Sequence, residues 1–316
     1  MRTSITLMRY QPHMKQTWDA FVAQSRNGTF LLQRDFMDYH ADRFTDHSLL
    51  FYADRRLLAV LPAEEAGEVL STHRGLTYGG FITSASVTAS QMLAMMRCLL
   101  DYLREQTSLR RLVYSPVPTF YASYPCEEDR YALFRHGAQR TQCKLTSIIP
   151  LANPLPFSTL RRRKIKVFEQ ASLMIKENED WSAFWAVLTQ NLQERHQVKP
   201  VHCLDEILRL HAAFPDHIRL HQVFSAEGEP LGGAVVFETD RVAHVQYIAS
   251  TESGRALGVL DGLFAQLITQ RYAHKTYFDF GVSVEQGGWV LNEGLIHQKE
   301  GFGARAAIYE TYEVRV

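Results

Sequence analysis

The feature that most constrains this chain is that its second half repeats the order of elements of its first. "DHSLLFYADRRLLAVLPA" (Asp46 to Ala63) and "DHIRLHQVFSAEGEPLGGAVVF" (Asp216 to Phe237) each read as two strands joined by a charged turn. "GLTYGGFI" then corresponds to "VAHVQYIAS", and each is followed by apolar residues at helical spacing, "SQMLAMMRCLLDYLREQ" and "VLDGLFAQLITQRYA". Each helix leads to a strand pattern, "LRRLVYSPVP" and "HKTYFDFGVS", and then to "HGAQR" or "GFGAR". The offset drifts from 170 residues (Asp46 to Asp216) to 165 (His136 to Gly301), as small loop insertions would make it. Each half opens with a helical pattern bearing tryptophan, at Trp18 and Trp181, and a proline-rich segment, "PLANPLPFSTL", separates them. The expected architecture is a mixed α/β sheet occurring twice, with domains over residues 1–155 and 156–316.

Composition narrows the partners. The 316 residues are 46% hydrophobic and 22% charged, enough for a large core, and 34 basic residues balance 34 acidic ones. No global field draws DNA or an anionic surface, so any polyanion must be held locally. Cys98, Cys126, Cys143 and Cys203 are scattered without paired short spacing, which fits a reducing compartment. No apolar segment has the length of a signal peptide core or a membrane span. These features predict a cytoplasmic protein without integral membrane association.

With "RGLTYGG", "LRRRKIKVFEQASLMIKE", "GGAVVF", "QYIAS", an R-x-x-G turn at Arg255 to Gly258 and "LNEGLIHQKEGFGAR" in this order, the chain resembles the GNAT acyltransferase fold. Its duplication resembles the FemABX-like tandem GNAT family. The resemblance implies a transferase moving an acyl or aminoacyl group from an activated carrier, acyl-CoA or aminoacyl-tRNA, to an amine. It implies a donor site in the second copy alone, because "TSASVTAS", the counterpart in the first, has neither Arg nor Gly. The first domain would then recognise the acceptor.

The family's pyrophosphate loop, [QR]-x-x-G-x-[GA], falls on Arg255, Gly258 and Leu260, with leucine where a small residue is usual. N–H groups at a helix start can bind phosphate oxygens, and glycine permits close approach. Donor binding is therefore expected at Ile248, Ala249, Arg255, Gly258 and Val259. By resemblance, Asn292 and Lys299 border the donor's reactive end, although Lys299 can equally end a helix. Backbone donors near Tyr247 would hold the oxyanion, Tyr247 would protonate the leaving group, and Glu285 or Asp279 would accept the amine's proton. Asp279, inside a strand pattern, reads equally well as a buried structural acid.

"LRRRKIK" packs five cations into seven residues. Arg161 and Arg162 are expected to grip substrate phosphates, against the alternative of a solvated helix face. By resemblance, Arg34, Tyr39 and Tyr78 are the expected acceptor contacts, against the alternative that Phe36 and Tyr39 only pack a helix. His217 and His221 share a strand face without a matching carboxylate, so no metal is expected, and there is no GxSxG elbow. The leading expectation is an N-acyltransferase that uses acyl-CoA, acetyl-CoA first, on an amine of an amino-sugar or cell-envelope precursor. The alternatives are aminoacyl transfer from tRNA to a peptidoglycan precursor and a silent binding module.

Overall fold

The computed structural model describes residues 4–316, with side chains at every one of these positions except 195 and 196. The chain forms two compact units, residues 1–144 with 286–290 and 308–316, and residues 145–285 with 291–307. A division after residue 155 misses the return of the C-terminal segment. The strand Arg305–Arg315 ends in the first unit, where Tyr312 to Arg315 pair antiparallel with Tyr114 to Arg111. Local pattern identifies such a strand without saying which sheet it joins.

In the first unit, Ile5–Arg9, Leu49–Ala53, Arg56–Leu61 and Ile82–Thr83 form an antiparallel sheet in that order. The expected strand at "GLTYGGFI" shrinks to Ile82–Thr83 because side chains replace the ladder around it. The Phe81 amide donates to the Tyr114 hydroxyl at 2.7 Å, and Asn27 takes the Phe81 carbonyl and the Thr83 amide, both at 2.9 Å. The helix Ala89–Gln106 starts at a Thr88–Gln91 capping box and buries Met92, Met95, Met96, Leu99, Leu100 and Leu103. Full burial of such side chains contributes roughly 1.5–3 kcal/mol each, so this face fixes the helix on its sheet.

In the second unit, Met174–Glu177, Ile218–Phe224, Pro230–Glu238 and Val242–Ser250 run antiparallel. Tyr277–Val282 then pairs parallel with Val242–Ser250, the placement that a helical crossover allows, and its other edge takes residues 146–150. The helix Val259–Gln266 buries Val259, Leu263 and Phe264 against Phe278, Phe280 and Phe302. The basic helix Thr159–Gln170, capped by Ser158, lies across it. Gly258 and Gly262, one turn apart, make this approach possible. A Cβ at Gly258 would stand 2.7 Å from the Lys164 carbonyl oxygen, and one at Gly262 would stand 2.0 Å from the Phe168 ring.

The histidines of "HIRLH" are engaged separately. His217 Nδ1 lies 2.8 Å from the Glu238 carbonyl, and buried His221 lies 2.8 Å from the Tyr272 hydroxyl. Burial pushes the His221 imidazole down to about 4, against the opposite pull of Glu177. As the pH falls, the unfolded chain therefore takes up this proton first. The stabilisation is fully present above about 6.5 and is lost as the pH drops toward 4. In urea unfolding at pH 7 and pH 4.5, the parent protein should lose about 1–3 kcal/mol more than His221→Gln does.

Candidate active site

The site begins where two strands part. Val242–Ser250 and Tyr277–Val282 pair only from Val242, Ala243 and His244 to Tyr277, Phe278 and Asp279. Beyond Asp279 the second strand bends. Gly281 has φ +74°, a left-handed conformation that glycine adopts without strain, and the pairing with residues 146–150 slips in register there. The Asp279 carboxylate holds this bend. Its Oδ1 accepts from Thr146 Oγ1 at 2.6 Å and from the Gly281 amide at 2.9 Å, and its Oδ2 lies 2.7 Å from His244 Nδ1. Burial would raise its pKa, yet His244 and these hydrogen bonds hold it below the ordinary carboxylate range. Buried Lys299 donates 2.8 Å bonds to the Gly281 and Val282 carbonyls, and burial pushes its ammonium down to about 8.

Past the parting, the alternation of an antiparallel ladder decides which backbone groups are free. The Thr251 amide donates to the Leu231 carbonyl at 3.0 Å, which makes Ala249 and Tyr247 the next residues bonded toward strand Pro230–Glu238. The amides and carbonyls of Ile248 and Ser250 therefore point into the parting. In keeping with this, the Ser250 carbonyl accepts from Arg255 Nη1 at 2.9 Å and Asn191 Nδ2 at 3.0 Å. Beside them lies a cavity of about 460 Å³ lined by Ile248 to Ser250, Arg255, Gly258 to Asp261, Arg161, Asn191 and Gln298, with Leu188, Leu192 and Leu295 as apolar wall. The R-x-x-G turn is a short helix, Glu252–Ala256, capped by Thr251, followed by Gly258 with φ +66° at the start of Val259–Gln266.

Six expected residues thus meet in one cavity: Ile248, Ala249, Arg255, Gly258, Val259 and Arg161. Within it, Ala249's amide belongs to the ladder, and Gly258 seats the Lys164 carbonyl as well as opening the helix. Arg161 pairs with Asp261 at 2.6 Å, while Arg162 is exposed. Burial lifts the Asp261 carboxyl above its usual range, against the pull of Arg161 and Lys164. Sequence reading missed Asp261, Asn191 and Gln298. Asp261 sits three residues past Gly258, a spacing that points into a helix's first turn.

Other expected residues lie elsewhere. Tyr247 is turned from the cavity, its hydroxyl 2.5 Å from His202 Nδ1 and its ring edge-on to Trp185, and burial pushes the phenol up to about 12. A proton donor for a leaving group needs access, so this tyrosine is a packing residue. Asp279 is fully buried in its own network and is unavailable as a base. Lys299 pins the bend and does not line the cavity. Asn292 caps the helix Glu293–Glu300 through the Leu295 amide at 3.0 Å, and its Nδ2 donates to exposed Glu285 at 3.3 Å.

In the first unit, Arg34 is 4% exposed. It ion-pairs with Asp38 and Asp46 and lies over the Tyr10 ring at 4.0 Å. It is a structural hub rather than an acceptor contact. Tyr78 is buried too, its hydroxyl 3.0 Å from Thr29 Oγ1. Tyr39, half-buried, stacks on His40 at 4.2 Å.

Parted parallel strands with a helix start at their end define the class, a GNAT-fold protein. Residues 158–287 match the family model of the acetyltransferase (GNAT) domain. No curated protein sequence matches the chain. Among solved structures it is similar to FemX, at 13% identity over 98% of this chain and 97% of that one, with TM-score 0.68. It is also similar to L-PGS from Bacillus licheniformis, at 13% identity over 97% and 92% with TM-score 0.63. A tandem GNAT protein from the clavulanic acid biosynthesis pathway matches at 12% identity over 99% and 98%, with TM-score 0.52. The fold is therefore the FemABX-like, duplicated GNAT fold. Among the described residues, no helix is long and apolar enough to cross a membrane.

Gly258→Ala forces a Cβ onto the Lys164 carbonyl at a positive φ. It should lower the unfolding free energy by about 1–3 kcal/mol in urea titration, whereas Gly294→Ala, where a Cβ meets only Asn292 at 3.8 Å, should leave it unchanged or raise it by up to about 1 kcal/mol.

Proposed function

We propose that this chain is an N-acyltransferase that takes an acyl group from acyl-CoA, acetyl-CoA in the first instance, and passes it to an amine of an amino-sugar or cell-envelope precursor. The observation that carries this reading is the cavity at the strand parting, where Arg255, Arg161 and a helix start meet the outward backbone of Ile248 and Ser250. The donor's phosphates would lie against Arg255 and the first N–H groups of Val259–Gln266, which have no intrahelical acceptor. Arg161 is balanced by Asp261, so Arg255 supplies the uncompensated charge of this wall.

The thioester would reach along Val242–Ser250 to the parting. The amine attacks the carbonyl carbon, a tetrahedral oxyanion forms, and its collapse expels the thiolate and yields the amide. The Ile248 amide is the oxyanion donor, since its N–H points into the parting while that of Ala249 does not. Glu285 stands outside the cavity and is exposed, so the amine's proton would reach it only through water. In this reading the second unit holds the donor.

A second reading, aminoacyl transfer from tRNA, is favoured by two observations. Arg162, Arg163 and Lys166 form an exposed cationic row on the helix that carries Arg161, suited to a nucleic acid backbone, and Leu260 narrows the cavity where a small residue would admit a pyrophosphate.

Titration calorimetry decides between them. Acetyl-CoA should bind the parent protein and lose at least about tenfold in affinity with Arg255→Ala, the removal of one charge-assisted contact. Binding of aminoacyl-tRNA alone, abolished by Arg162→Ala/Arg163→Ala, supports the second reading. Silence toward both leaves a binding module and removes the transferase assignment.

A further inference from the structure

The first unit contains an open sheet edge that the proposed chemistry does not use. Ile5–Arg9 is the end strand of its sheet, and among the described residues nothing pairs with its outer side. Its register with Leu49–Ala53 is unbroken, with no bulge and no proline inside it. Natural sheets usually blunt such an edge.

Ladder alternation again decides which groups face out. The Tyr10 amide donates to the Ser48 carbonyl at 2.8 Å, so Met8 and Thr6 bond inward. The amides and carbonyls of Ile5, Leu7 and Arg9 point outward. Among the described residues the one hydrogen bond to these groups is weak, the Cys98 thiol 3.8 Å from the Ile5 carbonyl. Along this edge runs a groove of about 1010 Å³, walled on the other side by the helix Ala89–Gln106 through Leu93, Ala94, Arg97, Cys98, Asp101 and Glu105.

We infer that this groove receives the same strand of a second copy of the chain, antiparallel and centred on Leu7. The outward set Ile5, Leu7, Arg9 is symmetric about Leu7. Turned over by a two-fold axis, Leu7 meets Leu7 and Ile5 meets Arg9, so every outward N–H and C=O finds a partner. The charges along the helix are ordered to match. Arg97 precedes Asp101 and Glu105 on the groove face, and the two-fold brings the arginine of one copy toward these carboxylates of the other, Asp101 also accepting from Arg104 of its own helix at 3.1 Å. Leu7 and Ile5 are half-buried beside Leu93, which supplies an apolar centre.

Sedimentation equilibrium at micromolar concentration tests this on the full chain. The expected mass is twice that of one chain. Leu7→Pro removes an outward N–H while sparing the bonds to Leu49–Ala53, so it should return the mass of a single chain with an unchanged circular dichroism spectrum. Arg97→Glu should weaken association at least tenfold, and adding Asp101→Arg should restore it. A single-chain mass for the parent at all micromolar concentrations overturns the inference. So does a dimer that persists in the folded Leu7→Pro variant, or a charge reversal that the second substitution fails to rescue.

Discussion

The Asp279 carboxylate is the constraint on which the second unit's site depends. It is completely buried, and burying a charge without partners costs far more than a single fold can absorb. It is tolerated because Thr146, His244 and the Gly281 amide surround it, and those partners belong to three different segments. Satisfying the carboxylate therefore fixes where the strand Tyr277–Val282 stops following its parallel neighbour. Lys299 then ties the helix Glu293–Glu300 to the bend. The polar knot sits where the pairing of the two strands ends, and the cavity opens beyond that point along Ile248 to Ser250.

The same knot explains why some site residues could be read from sequence and others could not. Arg255, Gly258 and Ile248 lie in contiguous motifs whose order the duplication fixes, and they gather in the cavity. The duplication itself was legible because paired strands and their helices carry strong periodicities, as in Met92, Met95, Met96 and Leu99. The orientation of a lone polar side chain carries no such signal. Tyr247 alternates correctly for its strand, yet only the tertiary fold puts His202 against its hydroxyl. Arg34 reads as a surface cation, and its burial depends on Asp46 and Tyr10, which come from other segments. The missing sequence signal at the C-terminus is of the same kind, since pairing partners are set by contacts distant along the chain.

Backbone direction sharpened the chemistry more than side-chain identity did. Reading the Thr251 to Leu231 bond through the ladder separates Ile248, whose amide is free to point at a reacting carbonyl, from Ala249, whose amide is not. A residue number shifted by one changes a donor into a spectator. The Tyr10 to Ser48 bond likewise turns the amides and carbonyls of Ile5, Leu7 and Arg9 outward. In both places one hydrogen bond just beyond the end of a regular strand sets which groups are free.

The run "LRRRKIK" is a single feature in sequence and two in space. Helical periodicity puts Arg161, Lys164 and Phe168 on the face that meets Val259–Gln266, and Arg162, Arg163 and Lys166 on the face that meets solvent. On the inner face, Gly258 and Gly262 accept the Lys164 carbonyl and the Phe168 ring, and Asp261 neutralises Arg161. The glycines that suggest a phosphate loop are therefore needed first for two helices to touch, and any anion affinity of the loop has to come from Arg255 and the helix start. Leu260 completes this geometry: it packs against the core cluster that includes Phe168 of the basic helix, and it also lines the cavity. Enlarging the cavity at Leu260 therefore disturbs the packing that seats this helix, and with it the Arg161–Asp261 pair, which makes cavity size and helix packing one energetic question.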